Sequence, residues 1–218
     1  ALRKALNEIV RRHEGLRTTF ARQGDAPVQV ITPTLDLDIP LLNTGSETTL
    51  DALIMEEANQ AFDLQEGPLI RAKIIRLGQD DHTLLFNQHH IVSDGWSMGI
   101  FIRELNQLYT AFSNGENSPL AKPTLQYADF AVWQHRQSEE LAKQLDFWKQ
   151  KLAAPPILEL PTDRPRPAVQ SYRGAIYRYD LPQALTDALK QLAQQEQVTL
   201  FMLLMAAFQT LLYRYSGQ

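Results

Sequence analysis

The residues best suited to chemistry are His89, His90, Asp94 and Gly95, within His89-His90-Ile91-Val92-Ser93-Asp94-Gly95. The apolar run Leu84-Leu85-Phe86 precedes them and the amphipathic stretch from Met98 to Phe112 follows, an order that reads as strand, tight turn, helix. Imidazole changes protonation near neutral pH, so it can accept a proton from an amine or hydroxyl nucleophile. Side chains alternate faces along a strand, so one imidazole faces a cavity while the other packs or hydrogen-bonds inside. The same alternation argues against a metal site, because ligands must converge on one ion. The chain also has no cysteine and no HExxH spacing. Asp94 either orients an imidazole or pairs with a cation to brace the turn. Gly95 lets the backbone approach a substrate closely or take a positive φ. The amino end of the following helix offers N–H groups to an oxyanion. The plainer alternative is two ordinary strand-end histidines followed by an Asp-Gly turn.

The elements that must position this stretch are legible around it. Leu2, Leu6, Ile9, Val10 and His13 recur at helical spacing, and Gly15 stops that helix. On this face His13 reads as a core-edge residue. Leu16 to Ala21 and Val28 to Thr32 read as strands joined by the turn chemistry of residues 23–27. A short strand is expected over 36–42 and a helix over 48–62. Leu69 to Leu77 and His82 to Val92 form the arms of a hairpin, with the two histidines at the end of the second arm. After the Met98–Phe112 helix, a loop leads to a long helical region over 125–152, interrupted once. Pro155, Pro156, Pro161, Pro165 and Pro167 then make an extended connector. A strand from Arg173 to Leu181 and helices over 183–196 and 199–215 follow, the last read as a buried helix.

The totals bound the possibilities. A chain of 218 residues that is 44% hydrophobic and 21% charged can build a sizeable core. A net charge of -4 argues against a general nucleic-acid surface, and the most apolar window, 198–212, is too short to span a bilayer. No targeting segment is visible and a cytoplasmic location is expected. The absence of cysteine excludes disulfides. The chain does not begin with Met, and it reads as a piece of something longer.

The stretch from Gln88 to Ser97 resembles the HHxxxDG signature of condensation domains from nonribosomal peptide synthetases. Residues 12–20, Arg-His-Glu-Gly-Leu-Arg-Thr-Thr-Phe, are similar to that family's RHExLRTxF block. Residues 127–134, Tyr-Ala-Asp-Phe-Ala-Val-Trp-Gln, are similar to its YxDYAVWQ block, with Phe130 in place of a tyrosine. Leu160 to Pro167 resembles its segment between lobes. HHxxxDG by itself is shared with chloramphenicol-acetyltransferase-like acyltransferases; three blocks in order are far more specific.

The resemblance implies an α/β (α+β) fold: a chloramphenicol-acetyltransferase-like lobe with a mixed sheet flanked by helices, plus the start of a second, similar lobe. Residues 1–160 would be the first lobe, 161–172 a Pro-rich connector and 173–218 the incomplete second lobe, with the motif on the floor of a tunnel between lobes. It implies amide formation between aminoacyl or peptidyl thioesters. These are carried on the phosphopantetheine arms of donor and acceptor carrier proteins, with an adenylation domain as neighbour in the parent chain and no cofactor bound directly. His90 would meet the acceptor amine, as general base or positioning group. His89 would be structural, and Asp94 would form a salt bridge with Arg17. Gly95 would lie against the substrate, followed by Trp96 and Ser97, with core packing as the alternative for Trp96. Exposed cations such as Arg22 and Arg103 would either touch an acidic carrier or simply be solvated. The family's opening block and its later blocks do not occur in these residues. The fragment is therefore expected to be inactive alone and to expose apolar surface near 199–215. The alternatives are a related acyltransferase that makes an ester or acylates a soluble acceptor, and a silent carrier-docking module.

Overall fold

Leu6, Ile9 and Val10 share one stripe of the first helix, α1 (Leu2–Arg12), and are almost fully buried. A single 3-10 turn, Glu14–Arg17, leads into β1 (Thr18–Gln23) and β2 (Ala26–Ile31), an antiparallel hairpin whose register pairs Gln23 with Ala26. Gly24 takes φ 63° in the two-residue loop, a backbone state that short hairpin turns require. Then come β3 (Leu41–Asn43), α2 (Glu47–Asn59), β4 (Ile70–Arg76), β5 (His82–Gln88) and α3 (Gly95–Ser113). The remaining helices are α4 (Tyr127–Arg136), α5 (Ser138–Lys151), α6 (Gln183–Gln195) and α7 (Leu200–Ser216). The computed structural model describes residues 1–44, 47–171 and 174–218. They divide into two compact units, Ala1–Gln144 and Leu145–Gln218.

The first unit holds a three-stranded sheet in which β3 runs parallel to β4, and β4 antiparallel to β5. This is the mixed sheet that the resemblance implies. Alternation along β4 puts Ile70, Ala72 and Ile74 against the core that α1 and α3 fill with Leu6, Ile9, Phe101, Leu105 and Leu108. Arg71, Lys73 and Ile75 take the other face, where Glu57 of α2 meets both cations.

The expected strand over 36–42 is shorter than its alternation implied. Residues 36–40 form no ladder, although Leu37 and Ile39 are buried. A side chain supplies what a neighbouring strand would have given, because Leu37 N–H donates to Asn7 Oδ1 at 2.7 Å.

In the second unit, the start of the expected 173–181 strand, Arg173, lies outside the described residues. Residues 174–181 form no strand, and Ile176, Tyr177 and Tyr179 are exposed. A strand needs a neighbour to satisfy its backbone groups, and no strand of this unit pairs with them among the described residues. The reading of 199–215 as a buried helix is also corrected. α7 forms, capped by the Thr199 hydroxyl and ended by Gly217 at φ 75°, but none of its residues is buried. α6 packs on part of it, while Phe201, Phe208 and Leu211 face outward. The Gln218 side chain ties the end of this unit back to its start, bonding Ile157 O and Glu159 N at 2.8 Å each. Among the described residues, no single helix is long and apolar enough to cross a membrane.

Gly67 marks a tight crossing in the first unit. It has φ 65°, and a Cβ placed there would stand 2.8 Å from Thr19 Cγ2. Phe20 N–H donates to Leu64 O at 2.7 Å, so this segment cannot drift away from β1. Gly67→Ala is expected to cost about 2 kcal/mol, from the left-handed backbone and the forced contact. Urea unfolding of the chain measures this, and an unchanged midpoint would refute it.

Candidate active site

The central motif begins where β5 ends. His89 stands one residue beyond the strand, yet its N–H still donates to Leu69 O at 2.9 Å. The chain then turns, with Val92 N–H on His89 O at 3.1 Å and Ile91 N–H on His89 Nδ1 at 3.0 Å. Because Nδ1 accepts, a neutral His89 ring carries its proton on Nε2. The ring meets Phe62 edge-on at 5.9 Å, and the Arg71 guanidinium lies 3.8 Å over the same Phe62. Arg71 also bonds Glu57 and the carbonyls of Gln60 and Ala61 just past the end of α2. Burial pushes the Glu57 carboxyl up, but bonds from Lys73 and Arg71 outweigh it and hold the group below the usual carboxylate range. His89 is thus fixed by a chain of contacts that reaches a buried ion cluster.

His90 points elsewhere. It lines a cleft of about 670 Å³ in the first unit, and no protein hydrogen bond engages its ring among the described residues. The cleft walls are the start of the hairpin (Thr18, Phe20, Gln29, Ile31), the motif with Ser97 and Phe101, the 3-10 turn with His13, and residues 125–128. The strand expected to run to Val92 ends at Gln88, and His90 to Val92 form a turn, so the different settings of the two imidazoles come from the turn and not from strand alternation. Gly95 and Trp96 are not among the lining residues; the Trp96 side chain is 83% exposed, so it does not fill the core either. Ser97 is among them.

The expected Asp94–Arg17 salt bridge does not form. Asp94 instead caps α3: its Oδ1 accepts from Ser97 N–H at 2.8 Å and from the Ser97 hydroxyl at 2.6 Å. The Ser97 hydroxyl first and its N–H second hold the Asp94 carboxyl below its ordinary range, with a smaller pull from His90. Arg17 bonds the Thr32 carbonyl and pairs with Glu14 at 3.4 Å. The reason is geometric. A carboxylate one residue ahead of a helix has unpaired N–H groups within reach, and satisfying them does not require a distant cation. The turn is braced by the helix it starts.

Sequence reasoning missed the opposite wall. Glu104 of α3 is mostly buried, with Oε1 at 3.3 Å from Arg12 Nη2 and Oε2 at 2.7 Å from His13 Nε2. Arg12 is buried as well and donates to Ala121 O at 2.9 Å and Leu120 O at 3.3 Å. Burial raises the Glu104 carboxyl, but Arg12 and then His13 overcome it, so the group stays below its ordinary range. Gln126 closes this wall: its amide donates to Arg12 O at 2.9 Å and its carbonyl accepts from Glu14 N–H at 3.0 Å. Asp129 accepts from Gln126 N–H at 2.8 Å, which starts α4. One signal was readable. Glu104 shares a helical face with Phe101, Leu105 and Leu108, and a charge on an apolar face needs a partner. Among the described residues, no three of His, Asp and Glu converge as a metal ion would need.

With this geometry in view, known proteins place the chain. The family model described as Condensation domain matches residues 1–218. One of the linear gramicidin synthase proteins of Brevibacillus parabrevis is 51% identical over the whole chain, which spans 3% of that protein. Among solved structures, an X-domain from teicoplanin biosynthesis in complex with OxyB matches with TM-score 0.88 and 31% identity. That match covers 99% of this chain and 49% of the other. A structure on condensation domain-mediated chain release from the enacyloxin polyketide synthase matches with TM-score 0.74 and 26% identity, covering all of this chain and 44% of the other.

Two outcomes follow from the ion pairs. Asp94→Ala and Arg17→Ala should shift the melting temperature additively, since the two side chains bind different partners; measurable coupling in the double variant would contradict this. Glu104 has a depressed pKa in the folded chain, so between that value and its unfolded value the unfolded state binds more protons. Its contribution is complete above the ordinary glutamate pKa of about 4.3 and fades as pH falls through the folded value. Glu104→Gln should therefore flatten the acid limb of melting temperature against pH, whereas an unchanged limb would show that Glu104 is not the group responsible.

Proposed function

The chain belongs to the Condensation domain family, and on that premise we propose that its cleft serves amide bond formation between two carrier-bound thioesters. One observation supports this reading above the others: the second histidine of the motif presents an unengaged ring to the cleft, while the first is held by protein. The nitrogen of the acceptor amine attacks the donor thioester carbonyl. The carbon–sulfur bond breaks, the donor's carrier departs as a thiolate, and the proton lost by the amine ends on that sulfur. His90 accepts that proton or aligns the amine for attack. In this reading the Gly95 N–H at the α3 amino end would meet the charge that develops on the thioester oxygen. Ser97 lines the same wall, and Trp96 stands beside it on the first turn of α3.

The phosphopantetheine arms belong to the substrates. The partners in this reading are the donor and acceptor carrier proteins and an adenylation domain in the parent chain, acting in the cytoplasm. The same proposal divides the chain into a first lobe, 1–160, a connector, 161–172, and the beginning of a second lobe, 173–218. The solved neighbours extend over about twice the length that this chain matches. We take the additional length to form the rest of the tunnel, so the 218 residues alone should not condense two loaded carriers.

A docking module is the second reading. It is favoured by the structural likeness to an X-domain solved in complex with OxyB, a partner of that protein. His90→Ala in the parent synthetase separates the two. Amide product from loaded carriers should fall at least about 100-fold if His90 handles the proton. Undiminished product would reject the catalytic role and favour docking.

A further inference from the structure

The sequence puts His13 at the edge of the core. The structure puts it on the cleft wall, with 33% of its side chain exposed. Its Nε2 lies 2.7 Å from Oε2 of Glu104, a carboxylate only 12% exposed. Arg12 faces both Glu104 oxygens, at 3.3 Å and 3.4 Å, and is itself anchored on the Leu120 and Ala121 carbonyls. An ionised carboxylate offers only lone pairs, so Nε2 must be the protonated nitrogen. In the neutral ring, Nδ1 is then an acceptor, and no protein donor reaches it among the described residues. A ring fixed in one tautomer by a buried carboxylate, with its accepting nitrogen unspent, is more than core packing requires.

We propose that His13 is a substrate-holding residue whose Nδ1 accepts a hydrogen bond from a secondary amide N–H of the thioester-linked chain in the cleft. Glu104 fixes the tautomer and Arg12 fixes Glu104, so these two are positioning residues. The identity of the ligand rests on the proposed function; the tautomer that Glu104 imposes on a cleft-lining ring does not. The candidates with the required chemistry are the arm amide nearest the thioester and the amide of a peptidyl donor.

The test uses the parent synthetase module with two soluble donors. One is an aminoacyl N-acetylcysteamine thioester, which keeps one amide of the arm. The other is its dipeptidyl counterpart, and each is paired with an analogue in which an ester oxygen replaces the N–H. His13→Phe should raise KM for the amide donors about tenfold, the loss of one hydrogen bond, with kcat within about twofold. The penalty should vanish on whichever ester analogue lacks the N–H that His13 holds, which identifies the amide. His13→Gln can donate to Glu104 and still accept, and should restore KM to within about threefold of the starting protein. Glu104→Gln should raise KM as His13→Phe does. An unchanged KM in a folded His13→Phe, an equal penalty on every analogue, or a His13→Gln as impaired as His13→Phe would each overturn the proposal. Should His13→Phe not fold, the amide-to-ester exchange must by itself raise KM about tenfold with the unsubstituted protein but not with His13→Val. A module that makes no amide at all refutes the proposed function instead. His13 is then judged by ring chemical-shift titration with the same four thioesters, where equal affinity for amide and ester overturns it.

Discussion

Glu104 is a carboxylate withdrawn from water between α1, α3 and the segment that leads to α4, and the geometry of the cleft depends on how it is neutralised. Arg12 and His13 reach it from the end of α1, Arg12 also holds the carbonyls of residues 120 and 121, and Gln126 bonds the Arg12 carbonyl and the Glu14 N–H. One buried charge therefore draws three separate parts of the chain to one place. Removing either partner would leave a carboxylate with too few hydrogen bonds in a medium that solvates it poorly, which is far more costly than losing an exposed pair.

The motif is held from the other side by a second buried carboxylate. Glu57 binds Arg71 and Lys73, Arg71 covers Phe62, and Phe62 meets His89. His89 is then used up by protein contacts, and its neighbour is left for the cleft. The turn between them and α3 needs no distant cation, because Asp94 spends its charge on the first turn of the helix. Two ion clusters and one helix cap thus fix three sides of the site. The apolar core of α1, α3 and β4 supplies the platform on which they stand.

The second unit shows how far composition leads without a partner surface. Apolar content alone makes 199–215 look like interior helix. α7 does form, because propensity and its Thr199 and Gly217 ends are local properties. Its burial is not local: it needs atoms from elsewhere, and the neighbouring α6 covers only part of it.

The same division runs through the site. The sequence by itself determined the strand, turn and helix around the motif, the hairpins and the break between α4 and α5. All of these follow from side-chain periodicity and turn chemistry within a few residues. Which group each charge would meet was decided only by the tertiary structure. Arg17 met Glu14 and the Thr32 carbonyl instead of Asp94. His13, expected at the edge of the core, met Glu104, 91 positions away, and lines the cleft. A charged side chain takes the partner that its desolvated surroundings bring within about 3 Å, and separation along the chain carries no information about that distance.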